Sequence, residues 1–575
     1  MTRRIVRTIV QTSIAALFTF IVVFFLDRNY RVLPNAIHTY LPTHHDGYVI
    51  TDITITKCSS INIFSSCKLD PTIWTRIEKD LYLRTGIFSS AYLHVQQKRE
   101  EELTPNDKVV IDVSVGRLNP GESDKKSWNR RSDKDDEKWE SRPGGLWIKR
   151  SNKPGVSDSK DAVTGVDVLF GDDAVEVRPG WNIVGTPLLL DTSSNTPVAL
   201  LTIRRGPEPE PIDKPIPKIQ DNGRFKIVQL ADLHLSTGVG HCRDALPKDW
   251  NGGKCEADPR TLDFVTKILD QEKPNLVVLS GDQVNGETAP DTQTAIFKYA
   301  KVLIERKIPY VSIFGNHDDE GDMSRAAQMA LIEKLPYSLS QAGPADVDGV
   351  GNYYIEILAH GSSGHSAITV YLLDTHSYSP NERKYPGYNW IKQSQIDWFR
   401  NTAQKLKKKH KEYTHHHMDV AFIHIPLPEY TTPNVTMVGE WKEPSTAPSY
   451  NSGFFDALVQ EGIVMVSCGQ YVTLCPLLLN RLSSLMLSDH VNEYCGLSST
   501  PDEKPAIWMC HAGGAGFGGY AGYGGFHRKI RVFEFDMNEA RITTWKRVEW
   551  GPDVDKRIEE LRLVDAGKVV APVQE

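Results

Sequence analysis

Cysteine is scarce in this chain, with 8 among 575 residues. That is too few for a disulfide framework to stand in for a hydrophobic core. An excess of either charge is also missing. The 66 basic and 73 acidic side chains leave a net charge of -7, which disfavours a protein that coats nucleic acid, whose surface would be basic. Long apolar runs are nearly absent, and a mean hydropathy of -0.36 excludes a polytopic membrane protein while leaving room for one span. No internal repeat stands out. What is present is a globular composition, 40% hydrophobic and 24% charged, at a length that allows several domains with ample core.

The one apolar run covers residues 8–26, which carry no charge. About 20 residues cross the roughly 30 Å hydrocarbon core of a bilayer. A cleaved signal peptide would have a shorter apolar region ending at a small-x-small site. This run ends Phe24-Phe25-Leu26-Asp27, so it reads as an uncleaved signal anchor after a short tail of residues 1–7. Arg3, Arg4 and Arg7 against Arg28 and Arg31 place the N-terminus in the cytosol by a narrow margin.

Residues 45–206 read as a mostly β accessory region. Residues 52–56 and 109–115 alternate apolar and polar at period two. Residues 121–161 include a stretch crowded with mixed charge, whose only large apolar residues up to Arg142 are Trp128 and Trp139. The expectation there is a disordered charged loop. Pro207, Pro209, Pro211, Pro215 and Pro217 then form a stiff linker over 207–221.

From residue 222 to 552 short apolar strands alternate with amphipathic helices, leaving 553–575 as a C-terminal tail. Strands are expected at 225–231, 276–280, 310–314, 369–373, 420–423 and 463–466. Ile396, Phe399, Ala403 and Leu406 define one buried helical face. This is an α/β domain, whose functional loops belong at the carboxyl ends of its strands.

Those ends carry the chemistry. Asp232-Leu233-His234 follows the first strand, Gly281-Asp282 the second, Gly315-Asn316-His317-Asp318 the third, and His424 ends a later one. Carboxylate, imidazole and amide oxygen together suit a binuclear site for hard or borderline cations. A carboxylate can bridge two such ions, and a water between them becomes hydroxide near neutral pH.

Four such motifs in this order, each after a strand, resemble the calcineurin-like metallophosphoesterases, in the branch related to purple acid phosphatases. The resemblance runs from about Arg224 to Gly551 and is nearest to fungal membrane-anchored phosphatases of the dosage-dependent cell-cycle-regulator group. It implies an αββα sandwich of two mixed sheets flanked by helices. Asp232 and His234 would bind one metal, Asp282 would bridge, and Asn316 and His424 would bind the second. His317, paired with Asp318, would contact the phosphate and protonate the leaving group. The implied cofactors are two metal ions drawn from Fe, Mn or Zn. The implied partners are a phosphorylated substrate (a phosphoprotein or small phosphomonoester) and a membrane of the endomembrane or vacuolar system, with no nucleic acid.

Two departures stand out. Purple members carry a tyrosine three residues after the bridging aspartate, where this chain has Asn285. No tyrosinate colour and no strong preference for ferric iron are therefore expected. The family also closes its site with Gly-His-x-His, its first histidine on the second metal and its second on the first. Here Ser467-Cys468-Gly469-Gln470 runs into an apolar stretch, and the pattern resumes at Asp489-His490-Val491-Asn492. Replacing residues 470–488 by one histidine restores Gly-His-Asp-His, with His490 as the ligand to the first metal. Gln470-Tyr471-Val472 can be encoded CAGTATGTN and Ser488 AGC, which are an intron start and end. Either this segment is a translated intron, or it is a genuine insertion beside the site that leaves one ligand absent. In the second case a catalytically impaired, membrane-tethered binding module comes to the fore. A phosphodiesterase on the same fold is the remaining alternative.

Other signals are weaker. Asp374-Thr375-His376 is a second D-x-H triplet, but its order in the chain favours a structural histidine. His415-His416-His417 follow a basic run and read as a solvated loop. Residues 514–519 spell a dinucleotide-type glycine pattern but precede a strand rather than a helix, so a tight glycine loop near the metal site is preferable. Cys58 with Cys67, and Cys242 with Cys255, are close enough in sequence for disulfides in an oxidising compartment. Cys468 and Cys495 are expected as buried thiols, and Asn434-Val435-Thr436 is a glycosylation sequon.

Overall fold

The computed structural model describes residues 2–30, 47–59, 67–86, 89–123, 137–153, 155–157, 159–210, 212, 214–361, 364–410, 416–431, 435–439, 447–469, 493–499, 502, 504–519 and 527–572. Residues 470–488, His490, His415, Asn434, Cys475 and Trp128 lie outside them. The chain divides into two units, Met1–Asp172 with Arg178–Glu210, and Asp173–Val177 with Pro211–Glu575.

The first unit begins with one helix, Thr2–Tyr30. Its described side chains are Arg7 and residues 10–23, with Ile14, Leu17, Phe18 and Phe20 exposed. Among the described residues no helix is long and apolar enough to cross a membrane.

Three antiparallel three-stranded sheets follow. They are built from Tyr48–Ser59, Thr75–Arg76 and Ser89–Arg99; from Val109–Val115, Trp139–Arg142 and Leu146–Ser151; and from Val163–Phe170, Trp181–Ile183 and Ala199–Arg205. In each sheet the last strand lies in the middle, a structural repetition with no counterpart in the residue pattern. Ile53, Leu93, Val113, Ile148, Val168 and Leu201 meet in one shared core.

The expected disordered loop over 121–161 is corrected here. Trp139–Arg142 pairs with Leu146–Ser151, which pairs in turn with Val109–Val115. Leu146 and Ile148 are buried, and the described charges of this segment find partners. Arg142 and Arg150 both bond Asp52 and Glu140. Residues 124–136 lie outside the described set.

The second unit is a sandwich of two mixed seven-stranded sheets. In one, Tyr310–Ile313, Leu276–Ser280 and Arg224–Leu230 run parallel, and Lys529–Asp536, Arg541–Val548, Ile558–Asp565 and Lys568–Val569 continue antiparallel. In the other, Ser366–Leu372, Met418–Ile423, Met465–Cys468 and Pro505–His511 run parallel. Tyr353–Leu358 and Cys495–Ser499 flank them antiparallel, and Thr436–Val438 pairs antiparallel with Cys495–Ser499. Phe225, Val278 and Phe533 from one sheet pack on Val370, Phe422 and Trp508 from the other in one core. The helix Gln393–His410 covers an outer face with Ile396, Phe399, Ala403 and Leu406, the stripe its spacing defines. Two mixed sheets with covering helices are what the resemblance implies.

Two further expectations are corrected. Residues 553–575 are not simply a tail: Ile558–Asp565 and Lys568–Val569 complete the first sheet, and Leu563 and Val564 are fully buried. Cys495 is not a thiol but is bonded to Cys510 across the neighbouring strands. Cys58–Cys67 and Cys242–Cys255 are disulfides, while Cys468 is free and buried.

Candidate metal centre

The parallel strands of each sheet end at the same edge, and their last residues hand over directly to the polar motifs. After Arg224–Leu230 the chain passes through Asp232 and His234, and after Leu276–Ser280 through Asp282. All three stand in the left-handed backbone region, with φ of 55, 48 and 53°. That region is costly for residues with a Cβ and persists only where the surroundings impose it. A ladder of backbone bonds does so here: Asp232 N–H donates to Gly281 O, His234 N–H to Asp282 O, and Leu235 N–H to Gln283 O, each at 3.0 Å.

This ladder turns three ligand-type side chains toward one point. Asp232, His234 and Asp282 each offer an atom within 4.8 Å of the others. His234 Nε2 is 3.8 Å from both carboxylates. The second sheet supplies His424, fully buried, whose Nε2 lies 3.3 Å from Asp282 Oδ2 and 3.2 Å from Asn316 Oδ1. Its Nδ1 is fixed by the carbonyl of Ser280 at 2.9 Å. That outer bond sets which nitrogen faces the cluster. Asp282 thus touches both halves of the constellation, as a bridging ligand must.

Electrostatics fit a cation. Burial pushes the His234 imidazole down to about 3 against the pull of Asp282, leaving it neutral and able to ligate. Burial opposes the charged form of His424 too, but Asp282 holds it up to about 9. Burial would raise Asp282, yet His424, His317 and His234 keep it well below the usual carboxylate range. A metal ion takes over the role that a protonated histidine plays otherwise. Two buried carboxylates, two imidazoles and an amide oxygen are a donor set that fits such ions.

His317 lies beside this cluster, its ring 5.4 Å from that of His234, and its backbone N–H donates to Asp282 Oδ1 at 2.8 Å. The expected pairing with Asp318 is corrected by the structure. Asp318 is buried and accepts backbone N–H groups from Asp282, Val284 and Gly315 at 2.6–3.0 Å, so it splints two motif loops together. The imidazole of His317 pairs instead with Glu320, Nδ1 to Oε2 at 2.7 Å. Sequence reading missed Glu320, although its place three residues on was a usable signal.

Asn285 does not face the cluster as a ligand would. Its side-chain amide reaches Gly518 O at 3.5 Å. The glycine loop packs on the first motif: a side chain at Gly516 would meet the carbonyl of Leu233, and one at Gly519 would meet the His234 ring. Asp374 and His376 stay apart from the centre, bonded to Arg325 and Gln395. His417 bonds Thr369 and the carbonyl of Ser366, so it anchors a strand start rather than standing in solvent.

A centre of this make-up at the strand ends of a two-sheet sandwich defines a metal-dependent phosphoesterase fold. Residues 225–447 match the calcineurin-like phosphoesterase family, and the chain belongs to that family. Phosphatase DCR2 of Saccharomyces cerevisiae is 38% identical over 409 residues, which are 68% of this chain and 65% of that protein. The chain therefore spans just under two thirds of that relative's length. An uncharacterized protein of Schizosaccharomyces pombe is 29% identical over 90% of both chains. A protein of Arabidopsis thaliana named as a probable inactive purple acid phosphatase is 35% identical over 58% of this chain and 82% of its own.

Proposed function

We propose that this chain is a binuclear-metal-dependent phosphomonoesterase whose substrates include phosphoproteins. The observation that carries the reading is the convergence of Asp232, His234, Asp282, Asn316 and His424 on one point, with Asp282 in contact with both halves. Ions held there, from among Fe, Mn and Zn, would supply Lewis acidity toward phosphate oxygens and lower the pKa of a bound water. The protein's own part is positional. Asp282 sets the spacing of the two halves, and Asp318 fixes the loops that carry them. His317 stands where it can hold a phosphate oxygen and give a proton to the leaving group.

A second reading is a phosphate-binding module without turnover. It is favoured by the plant relative named as inactive and by the interruption of Gly-His-x-His after Gly469. In the phosphomonoesterase reading, by contrast, residues 470–488 are absent from the mature chain, and His490 completes the first metal's ligands.

The anchor reading belongs here as well. Residues 8–26 would hold the chain in a membrane with its N-terminus in the cytosol. Both folded units would then sit in an oxidising lumen, which suits disulfides at Cys58–Cys67, Cys242–Cys255 and Cys495–Cys510. Protease protection in sealed membranes tests that orientation.

The functional test compares the chain as written with one in which residues 470–488 are replaced by a single histidine. Each is assayed with Mn or Zn on p-nitrophenyl phosphate and bis-p-nitrophenyl phosphate. The account predicts metal-dependent turnover of the monoester by the restored chain. Dominant diester turnover would favour a phosphodiesterase, and no turnover by either chain would favour the binding module.

A further inference from the structure

The contact between His317 and Glu320 closes a circuit. Glu320 Oε2 meets His317 Nδ1 at 2.7 Å, and its other oxygen, Oε1, accepts from Tyr378 OH at 3.4 Å. The Tyr378 oxygen accepts in turn from Asn316 Nδ2 at 3.4 Å. Asn316 and His317 are chain neighbours, so the proposed metal-ligand amide and the proposed acid are tied together through one carboxylate and one phenol. The other nearby acids are engaged elsewhere: Asp318 holds three backbone N–H groups, and Asp319 pairs with Arg325. Tyr378 is itself braced by stacking on Tyr388, with rings 5.7 Å apart and 19° from parallel.

We propose that Glu320 is the positioning residue of the leaving-group acid, holding His317 with Nδ1–H toward its own carboxylate and Nε2 toward the substrate. Through Tyr378 it also orients the Asn316 amide, whose Nδ2 is drawn to the phenol while Oδ1 turns to the metal side, 3.2 Å from His424 Nε2. The inference rests on the phosphomonoesterase reading. In the step concerned, the bond from phosphorus to the leaving oxygen breaks and that oxygen keeps the electron pair. It takes the proton from His317 Nε2, while Nδ1–H stays on Glu320. Water supplies the new oxygen on phosphorus and loses one proton to solvent, and solvent returns one to His317 Nε2.

An acid matters most where the leaving oxygen is basic. The test therefore compares β-glycerol phosphate, an alkyl ester, with p-nitrophenyl phosphate, whose leaving group needs almost no proton. It uses the full-length restored chain loaded with Mn. E320Q is expected to lose about 100-fold in kcat/KM on the alkyl ester and less than about tenfold on the aryl ester. H317N should show the same pattern, and E320D should recover part of the loss. Equal falls on both esters overturn the proposal, as does a tenfold loss of inorganic phosphate affinity by calorimetry, since either would mean a general structural role. The pairing is read without turnover from histidine 15N shifts. Nδ1 of His317 should be protonated in the wild type and the tautomers mixed in E320Q; an unchanged tautomer overturns the proposal. A wild type inactive on both esters, with the tautomer shift intact, refutes the phosphomonoesterase reading and leaves the pairing standing.

Discussion

Two D-x-H triplets follow buried parallel strands of this protein, and one of them lies in the candidate metal centre. Asp232-Leu233-His234 leaves Arg224–Leu230, and Asp374-Thr375-His376 leaves Ser366–Leu372. Both aspartates are buried. Both histidines adopt the left-handed backbone, at φ of 48 and 64°. Even the covering is alike, since a glycine packs against each histidine, Gly519 in the first case and Gly349 in the second. The difference lies in what meets the carboxylate. Asp374 forms an ion pair with Arg325 and accepts N–H groups from His376 and Val350, each at 2.8 Å. His376 is spent on Gln395 at 2.8 Å. Around Asp232 and Asp282 it is imidazoles that gather instead. A buried carboxylate matched by a guanidinium is a finished structural element, whereas buried carboxylates beside converging imidazoles offer donors to a cation.

The comparison can be broken in four ways. The largest effect is expected from Asp282→Asn, which removes the shared ligand and should cut turnover by about a thousandfold or more. Asp374→Asn should leave most turnover in whatever fraction folds, as read by steady-state kinetics on soluble protein. Next comes Arg325→Met, which leaves Asp374 buried without its cation. It should cost about 3–5 kcal/mol of stability in denaturant titration, with metal content kept in the folded fraction. Third are the glycines. Gly519→Ala presses on the His234 ring and should speed metal loss on dialysis against a chelator. Gly349→Ala, at φ 86° with Asp374 Oδ2 only 2.8 Å from the new carbon, should instead lower stability by about 1–3 kcal/mol. The smallest effect belongs to His376→Phe, about 1 kcal/mol for the lost bond to Gln395, with kcat unchanged.

The sequence exposes those features that depend on local order. Each apolar run of four to seven residues ends at a polar motif, so the strand ends and Asp232, His234, Asp282, Asn316 and His424 were legible from spacing and from family resemblance. The stripe at Ile396, Phe399, Ala403 and Leu406 was legible for the same reason. What stayed hidden depends on pairing across distance. The partners of Trp139–Arg142 neutralise its charges only once Asp52 is brought alongside. Ile558–Asp565 becomes a strand because Arg541–Val548 offers it an edge. Cys495 meets Cys510 only through the register of two strands. Glu320 was passed over because Asp318 is nearer in sequence, yet the loop turns Asp318 inward to the backbone and Glu320 outward to the imidazole. The two D-x-H triplets could be ranked by order alone, but their physical distinction lies in Arg325, which no local pattern connects to Asp374.

The most direct measurement is the metal bound per chain, by elemental analysis after chelation and reconstitution, for the wild type, Asp282→Asn and Asp374→Asn side by side. The account predicts that Asp374→Asn retains the wild-type metal content and that Asp282→Asn loses most of it. Equal metal content in the two variants, or loss confined to Asp374→Asn, would contradict it.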